Sequence, residues 1–96
     1  MESTDIIDKK FIYACSQVNR LREKPNDTEL LVIYGYYKQS LCGDNTNPKP
    51  SIISIKERKK WISWNSLKGI SKDQAKVEYY NQVNKLISKY GTTALI

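Results

Sequence analysis

LLVIYGYYKQSLCGD, residues 30–44, places apolar and aromatic side chains at helical spacing. Leu30, Tyr34, Tyr37 and Leu41 recur every three or four residues and form one stripe. Just upstream, Asn26 stands in N-cap position with Glu29 three residues on, the pattern of a capping box. Gly43 follows the stripe where a left-handed cap ends a helix. Together these predict a helix over 27–42. Within it Tyr34, Tyr37 and Lys38 fall at i, i+3 and i+4, so their side chains converge on one face. Two flat rings with hydroxyl groups beside a point charge suit an anionic, aromatic ligand. The same spacing fits core tyrosines next to a solvated lysine, and spacing alone favours neither.

Working outward, the segment before this helix carries Phe11, Ala14, Cys15, Val18 and Leu21 on one helical face, with Pro25 as a stop. A helix over about 8–22 is predicted. After it, GDNTNPKPSII (43–53) is rich in turn formers. At that length it exceeds the roughly 2–8 residues usual between bundle helices, so it must cross some distance or serve a purpose. A third helix is predicted over about 55–68, with Ser54 and Glu57 as a capping box, Trp61, Trp64 and Leu67 as its apolar stripe, and Gly69 as its end. The fourth, over about 72–90, starts at a second capping box (Ser71, Gln74), buries Ala75, Tyr79, Val83, Leu86 and Tyr90, and ends at Gly91. The tail TTALI is expected to fray. No segment alternates with period two. The expectation is an all-α four-helix bundle forming a single domain over residues 1–96. Short links at 22–26 and 69–71 favour antiparallel neighbours, and the long middle loop allows helices two and three to run parallel.

The 96 residues carry a net charge of +6 and contain no histidine. The basic surplus points to an anionic partner: nucleic acid, membrane or a phosphorylated small molecule. Without histidine the commonest general base is missing, and no catalytic triad, zinc motif or Walker loop is present. An enzyme is therefore not expected, and neither is a metal or cofactor. Cys15 and Cys42 read as reduced thiols. With no secretory signal and no run of ~20 apolar residues, a cytoplasmic protein is expected. Lys49, Lys56, Arg58, Lys59 and Lys60 are opposed only by Glu57. Lys56 and Lys60 share a helix face, and Lys56 lies near a helix N-terminus that favours anions. A solvated charged face is the plain alternative. Tyr79 reads as a core aromatic or as a ring that covers a purine. A small basic nucleic-acid-binding domain and a module that docks a partner helix through its tyrosines are the rival readings.

These pieces resemble the acyl-CoA-binding protein family over nearly the whole chain, Phe11 to Gly91. Residues 30–44 are similar to the family's Leu-x-x-Tyr-x-x-Tyr-Lys-Gln-x-x-x-Gly-Asp signature, with Pro50 matching the loop proline. Residues 59–75, KKWISWNSLKGISKDQA, resemble its Lys-Trp-x-x-Trp-x-x-Leu-x-Gly-x-Ser segment. Val83, Lys89, Tyr90 and Gly91 match its C-terminal end. The resemblance implies an up-down-down-up bundle that binds medium- to long-chain fatty acyl-CoA without catalysis and carries or buffers it. The acyl chain would lie in a groove covered by the nucleotide. By position, Tyr34, Lys38 and Lys60 would hold the ribose 3′-phosphate, Tyr37 and Tyr79 would contact adenine and its surroundings, and Lys56 would support the phosphates. A monomer is implied, with transient contact to acyl-CoA-using enzymes or membranes and no nucleic acid. Five positions depart from the family pattern. Asn19 replaces a lysine found in some members, which removes one ligand contact unless Arg20 or Arg22 partly replaces it. Lys59 replaces a commonly small residue, Ser51 replaces the loop glycine, and Ser54-Ile55 replaces Asp-Phe.

Overall fold

The computed structural model describes residues 3–93. Four helices make up its regular structure: α1 Thr4–Val18, α2 Asp27–Cys42, α3 Ile55–Asn65 and α4 Lys72–Tyr90. At the start of α2 both halves of the capping box form. The Asn26 N–H donates to Glu29 Oε1 (2.9 Å), and the Glu29 N–H donates to Asn26 Oδ1 (2.8 Å). At α4 only half of the expected box forms. Ser71 Oγ accepts from the Gln74 N–H, while the Gln74 amide reaches on to Glu78. At α3 the expected box is absent: the Ser54 side chain makes no capping bond, and Glu57 lies 3.8 Å from Lys60 instead.

Two helices differ from their expected extents. α1 begins at Thr4, capped by Ser3, because Ile7 joins Phe11 and Ala14 on the buried face. It ends at Val18 because residues 20–22 pair with the chain's far end. The Arg22 N–H donates to the Gly91 carbonyl and the Thr93 N–H to the Arg20 carbonyl, each at 2.9 Å, around an antiparallel bridge between Leu21 and Thr92. Thr92 and Thr93 are thus tied down rather than frayed, whereas Ala94, Leu95 and Ile96 lie outside the described residues. α3 stops at Asn65. Beyond it the Leu67, Lys68 and Ile70 N–H groups each bond three residues back, so the chain tightens into turns before Gly69, whose φ is +96°.

Side-chain pairs give the helix directions. Lys76 meets Asp8 near the starts of α4 and α1, and Arg20 meets Thr93 near their ends, so these helices run parallel. Lys89 and Tyr90 meet Glu29, whereas Gln39 meets Ile70, so α2 and α4 run antiparallel. Tyr34 faces Lys60 and Trp64 faces Lys38, so α2 and α3 run parallel. The result is the expected up-down-down-up bundle. α4 packs against α1 and α2, and α3 packs on α2 alone. The core is Phe11, Ala14, Ile33, Tyr79, Val83 and Leu86.

Two local devices set the α2–α3 seam. At Gly35 an added Cβ would stand 2.8 Å from Ser63 Oγ and 2.9 Å from the Ser63 carbonyl oxygen, closer than real Cβ contacts allow. Glycine therefore lets the two backbones approach. Beyond the helix end, the fully buried Gln39 amide donates to Asp44 and to the Ile70 carbonyl, and Asp44 also accepts from the Gly69 N–H. That N–H, with help from Gln39, holds the Asp44 carboxyl below its ordinary value. The long loop is thereby fastened to the α3–α4 turn.

Glu29 ties the start of α2 to the end of α4. Its carboxylate accepts from the Tyr90 hydroxyl (2.5 Å), the Asn26 N–H and Lys89 (3.0 Å). These partners, Tyr90 foremost, pull its pKa from the ordinary 4.5 down to about 2. A carboxyl whose pKa is depressed by folding contributes stability that is present above its unfolded pKa and is lost as pH falls toward the folded one. Urea unfolding is thus expected to show stability falling between about pH 4.5 and pH 2, with a shallower fall over that window in Glu29→Gln. An identical pH slope in the variant would remove Glu29 from the acid response.

Candidate ligand site

α2 lies between α4 and α3, so its buried positions are Ile33, Gly35, Gln39 and Ser40. The stripe of Leu30, Tyr34, Tyr37 and Leu41 is not the core face: Tyr37 is 39% exposed and Leu41 48%. Leu30, Tyr34 and Tyr37 instead line open cavities. One cavity, of about 480 Å³, lies between α2 and α3. Leu30, Leu31, Tyr34 and Ile55 supply its apolar wall, and Lys56, Lys59, Lys60 and Asp27 its charges. A second, of about 420 Å³, lies where α1, α2 and α4 meet. It is lined by Cys15, Val18, Asn19, Leu30, Ile33, Tyr34, Tyr37 and Tyr79. Leu30 and Tyr34 line both, so the two cavities adjoin.

The seam carries two cation–ring contacts of crossed sense. Lys60 of α3 sits over Tyr34 of α2, 5.5 Å from its ring centre, and Lys38 of α2 sits over Trp64 of α3 at 4.9 Å. In parallel helices the i, i+4 pairs Tyr34/Lys38 and Lys60/Trp64 fall at matching heights, which produces the crossing. Each ammonium group keeps donors free for an incoming anion. Lys60 has a weak hold on Glu57 at 3.8 Å across an exposed pair.

The structure therefore brings Tyr34, Lys56 and Lys60 onto the first cavity and Tyr34, Tyr37 and Tyr79 onto the second, with Lys38 one turn along α2 on the same seam. Tyr79 is both a core and a cavity residue. It is only 3% exposed, with its ring 5.2 Å from Phe11 and 5.9 Å from Tyr37. Burial, followed by the neighbouring Cys15, raises its hydroxyl pKa well above the ordinary value. It forms the floor of the second cavity and backs Tyr37, the more open ring.

Several residues that the sequence left open are now placed. Lys59 lines the first cavity beside Lys56 and Lys60. Asn19 lines the second. Arg20 and Arg22, next in sequence, bond to the end of the described chain: Arg20 donates to the Thr93 carbonyl and Arg22 to the Thr92 carbonyl. Of the tryptophans, Trp64 is the packing residue, buried with its indole N–H on the Gly43 carbonyl (2.9 Å). Trp61 clamps the loop through the Asn47 carbonyl (2.8 Å), with Lys49 over its ring. Neither lines the two cavities. Leu31 and Ile55 also line the first cavity, a placement that sequence spacing does not carry because it depends on α3 lying parallel to α2.

A small helical bundle with an apolar groove bordered by lysines and tyrosines defines a ligand-binding class of protein. Residues 8–83 match the family model described as acyl CoA binding protein. The chain is 42% identical to acyl-CoA-binding protein 2 of Saccharomyces pastorianus over 87 residues, covering 91% of this chain and all of that one. It is 41% identical to the acyl-CoA-binding protein of Saccharomyces cerevisiae over the same length, with the same coverage. Among solved structures, Oryza sativa acyl-CoA-binding protein 2 superposes with a TM-score of 0.85 at 28% identity, covering 90% of this chain and 94% of that one. The yeast protein in solution gives 0.65 at 40% identity, covering 94% and 100%. This chain belongs to the acyl-CoA-binding protein family.

Proposed function

We propose that the protein binds medium- to long-chain fatty acyl-CoA at the α2–α3 seam, releases it unchanged, and so carries or buffers it. The observation that supports this best is the pairing of features in two adjoining cavities. Tyrosine rings and lysine ammonium groups adjoin an apolar groove of about 480 Å³, the two chemistries that an amphiphile with an anionic nucleotide head and an oily tail requires. In this reading Lys60, Lys38 and Tyr34 hold the ribose 3′-phosphate. Tyr37, backed by Tyr79, contacts adenine and adjoining head-group atoms. Lys56 lies beside the phosphates, and Leu30, Leu31 and Ile55 wall the acyl chain.

Carriage without catalysis fits the titrating groups at the site. No histidine exists in the chain. Burial pushes the Cys15 thiol above its ordinary value, which keeps it protonated and a poor nucleophile toward a thioester. The role that follows is that of a cytoplasmic monomer with transient contact to acyl-CoA-using enzymes and membranes. Among the described residues no helix is long and apolar enough to cross a membrane. The nucleic-acid alternative has no support from the family or from the geometry of the groove.

The head-group assignment is tested with ligands. A 3′-dephospho-CoA ester is expected to bind more weakly than the matching CoA ester by roughly tenfold or more, the loss of one or two charge-assisted hydrogen bonds. Equal affinities in calorimetry would take the 3′-phosphate out of the site.

A further inference from the structure

The corner between α1 and α2 is gripped from both sides by the chain beyond α4. Gly91 takes a φ of +73°, which turns the chain back along residues 20–22. There the Arg22 N–H donates to the Gly91 carbonyl and the Thr93 N–H to the Arg20 carbonyl, around the Leu21–Thr92 bridge. Both guanidinium groups add to it: Arg20 reaches the Thr93 carbonyl at 3.1 Å and Arg22 the Thr92 carbonyl at 3.0 Å. Among the described residues, these are the backbone bonds that tie the stretch between α1 and Asn26 to another element. On the far side of the corner, Lys89 and Tyr90 hold Glu29. Each grip lands one residue short of the second cavity. Val18 and Asn19, directly before Arg20, line it from the α1 side, and Leu30, directly after Glu29, lines it from the α2 side. That lining is largely aliphatic and aromatic, and such walls hold a ligand by close fit. Fit of this kind depends on wall positions to within about 0.5 Å.

We infer that the clasp of residues 91–93 on residues 20–22 is a positioning element for ligand binding, which rests on the reading above that the second cavity takes the nucleotide head. It fixes the α1 wall of that cavity at the spacing the head requires. Residues that touch no ligand thereby set its affinity. The clasp is built of exposed hydrogen bonds at a chain end, the kind that open locally at low cost. An open clasp leaves Val18 and Asn19 on a wall without its anchor. Coupling of this sort is reciprocal: if the closed clasp favours the bound state, bound ligand must hold the clasp closed.

Calorimetry on two substitutions tests this. Thr93 lies outside the lining of both cavities. Thr93→Pro removes the N–H that bonds Arg20, whereas Thr93→Ala keeps it and loses only the hydroxyl bond at 3.4 Å. At a temperature where circular dichroism shows both variants folded, Thr93→Pro is expected to bind free CoA and a saturated long-chain acyl-CoA each roughly tenfold more weakly than the parent. Thr93→Ala should bind both like the parent. Parent-like affinity in Thr93→Pro, an equal loss in Thr93→Ala, or a loss for the ester alone overturns the clasp and leaves the ligand reading intact. Hydrogen exchange on the parent supplies a check that needs no variant. Saturation with the ester should slow exchange of the Arg22 and Thr93 N–H groups by roughly tenfold, and leave the Ile6 N–H at the exposed start of α1 unchanged. Unaltered exchange at Arg22 and Thr93 overturns the coupling even if Thr93→Pro fails to fold. A parent that binds neither free CoA nor the ester sinks the ligand reading, and the role of the clasp with it.

Discussion

Lys60→Ala is expected to weaken fatty acyl-CoA binding by roughly ten- to a hundredfold, the worth of a charge-assisted hydrogen bond of about 1.5–3 kcal/mol. Lys60 is suited to the test because little else depends on it. Its ammonium group makes one weak, exposed ion pair with Glu57 and rests over the Tyr34 ring. Removing it should leave helical circular dichroism and the urea midpoint nearly unchanged. Lys38→Ala should lower affinity in the same range, with some loss of stability as well. The Lys38 ammonium covers the buried Trp64 ring, so its removal also takes away packing. Calorimetry on the two variants checks both. Affinity equal to that of the parent in both would mean that the seam cations do not hold the ligand's phosphates.

A still larger effect is expected from the ligand's tail. Each methylene withdrawn from water contributes about 0.8 kcal/mol at most, so two more carbons strengthen binding by up to roughly tenfold. A tail of about fourteen methylenes would reach on the order of 11 kcal/mol, an upper bound that ordering of the chain and lost ligand motion offset in large part. In the proposed reading the walls that receive it are Leu30, Leu31 and Ile55, which line the first cavity. The gain per carbon should shrink once the groove is full, and the heat-capacity change on binding should become more negative with chain length. The head then supplies recognition, and the tail supplies the range of affinities.

Much of this was legible before any coordinates. Helical spacing and punctuation located α2 and α4, because each has a polar cap residue at one end and a glycine at the other. Helix α1 departs from the expected 8–22 at both ends, for reasons no local pattern carries. Ile7 is buried only because α4 runs beside it, and Leu21, which continues the helical spacing, is drawn out of the helix by the distant Thr92. Ser54 and Glu57 have the spacing of a capping box, but Glu57 lies beside Lys60 and Ser54 Oγ makes no capping bond. At the site, spacing showed that Tyr34, Tyr37 and Lys38 share a face but not what that face meets. That Lys60 would sit over Tyr34, and Lys38 over Trp64, follows from two helices running parallel at matched height. That arrangement depends on the close approach at Gly35 and on a loop fastened through Asp44. Arg20 and Arg22 show the converse: the sequence gives their charge near Asn19 but not the bonds they make to the Thr93 and Thr92 carbonyls.

A calorimetric titration of the protein with free CoA and with saturated acyl-CoAs of increasing length bears most directly on the central claim, that two adjoining cavities serve the two halves of an amphiphile. Free CoA should bind weakest, affinity should climb with each pair of carbons, and the climb should level off once the α2–α3 groove is filled. The same affinity for free CoA and for every ester would contradict the account, because the apolar groove would then hold nothing.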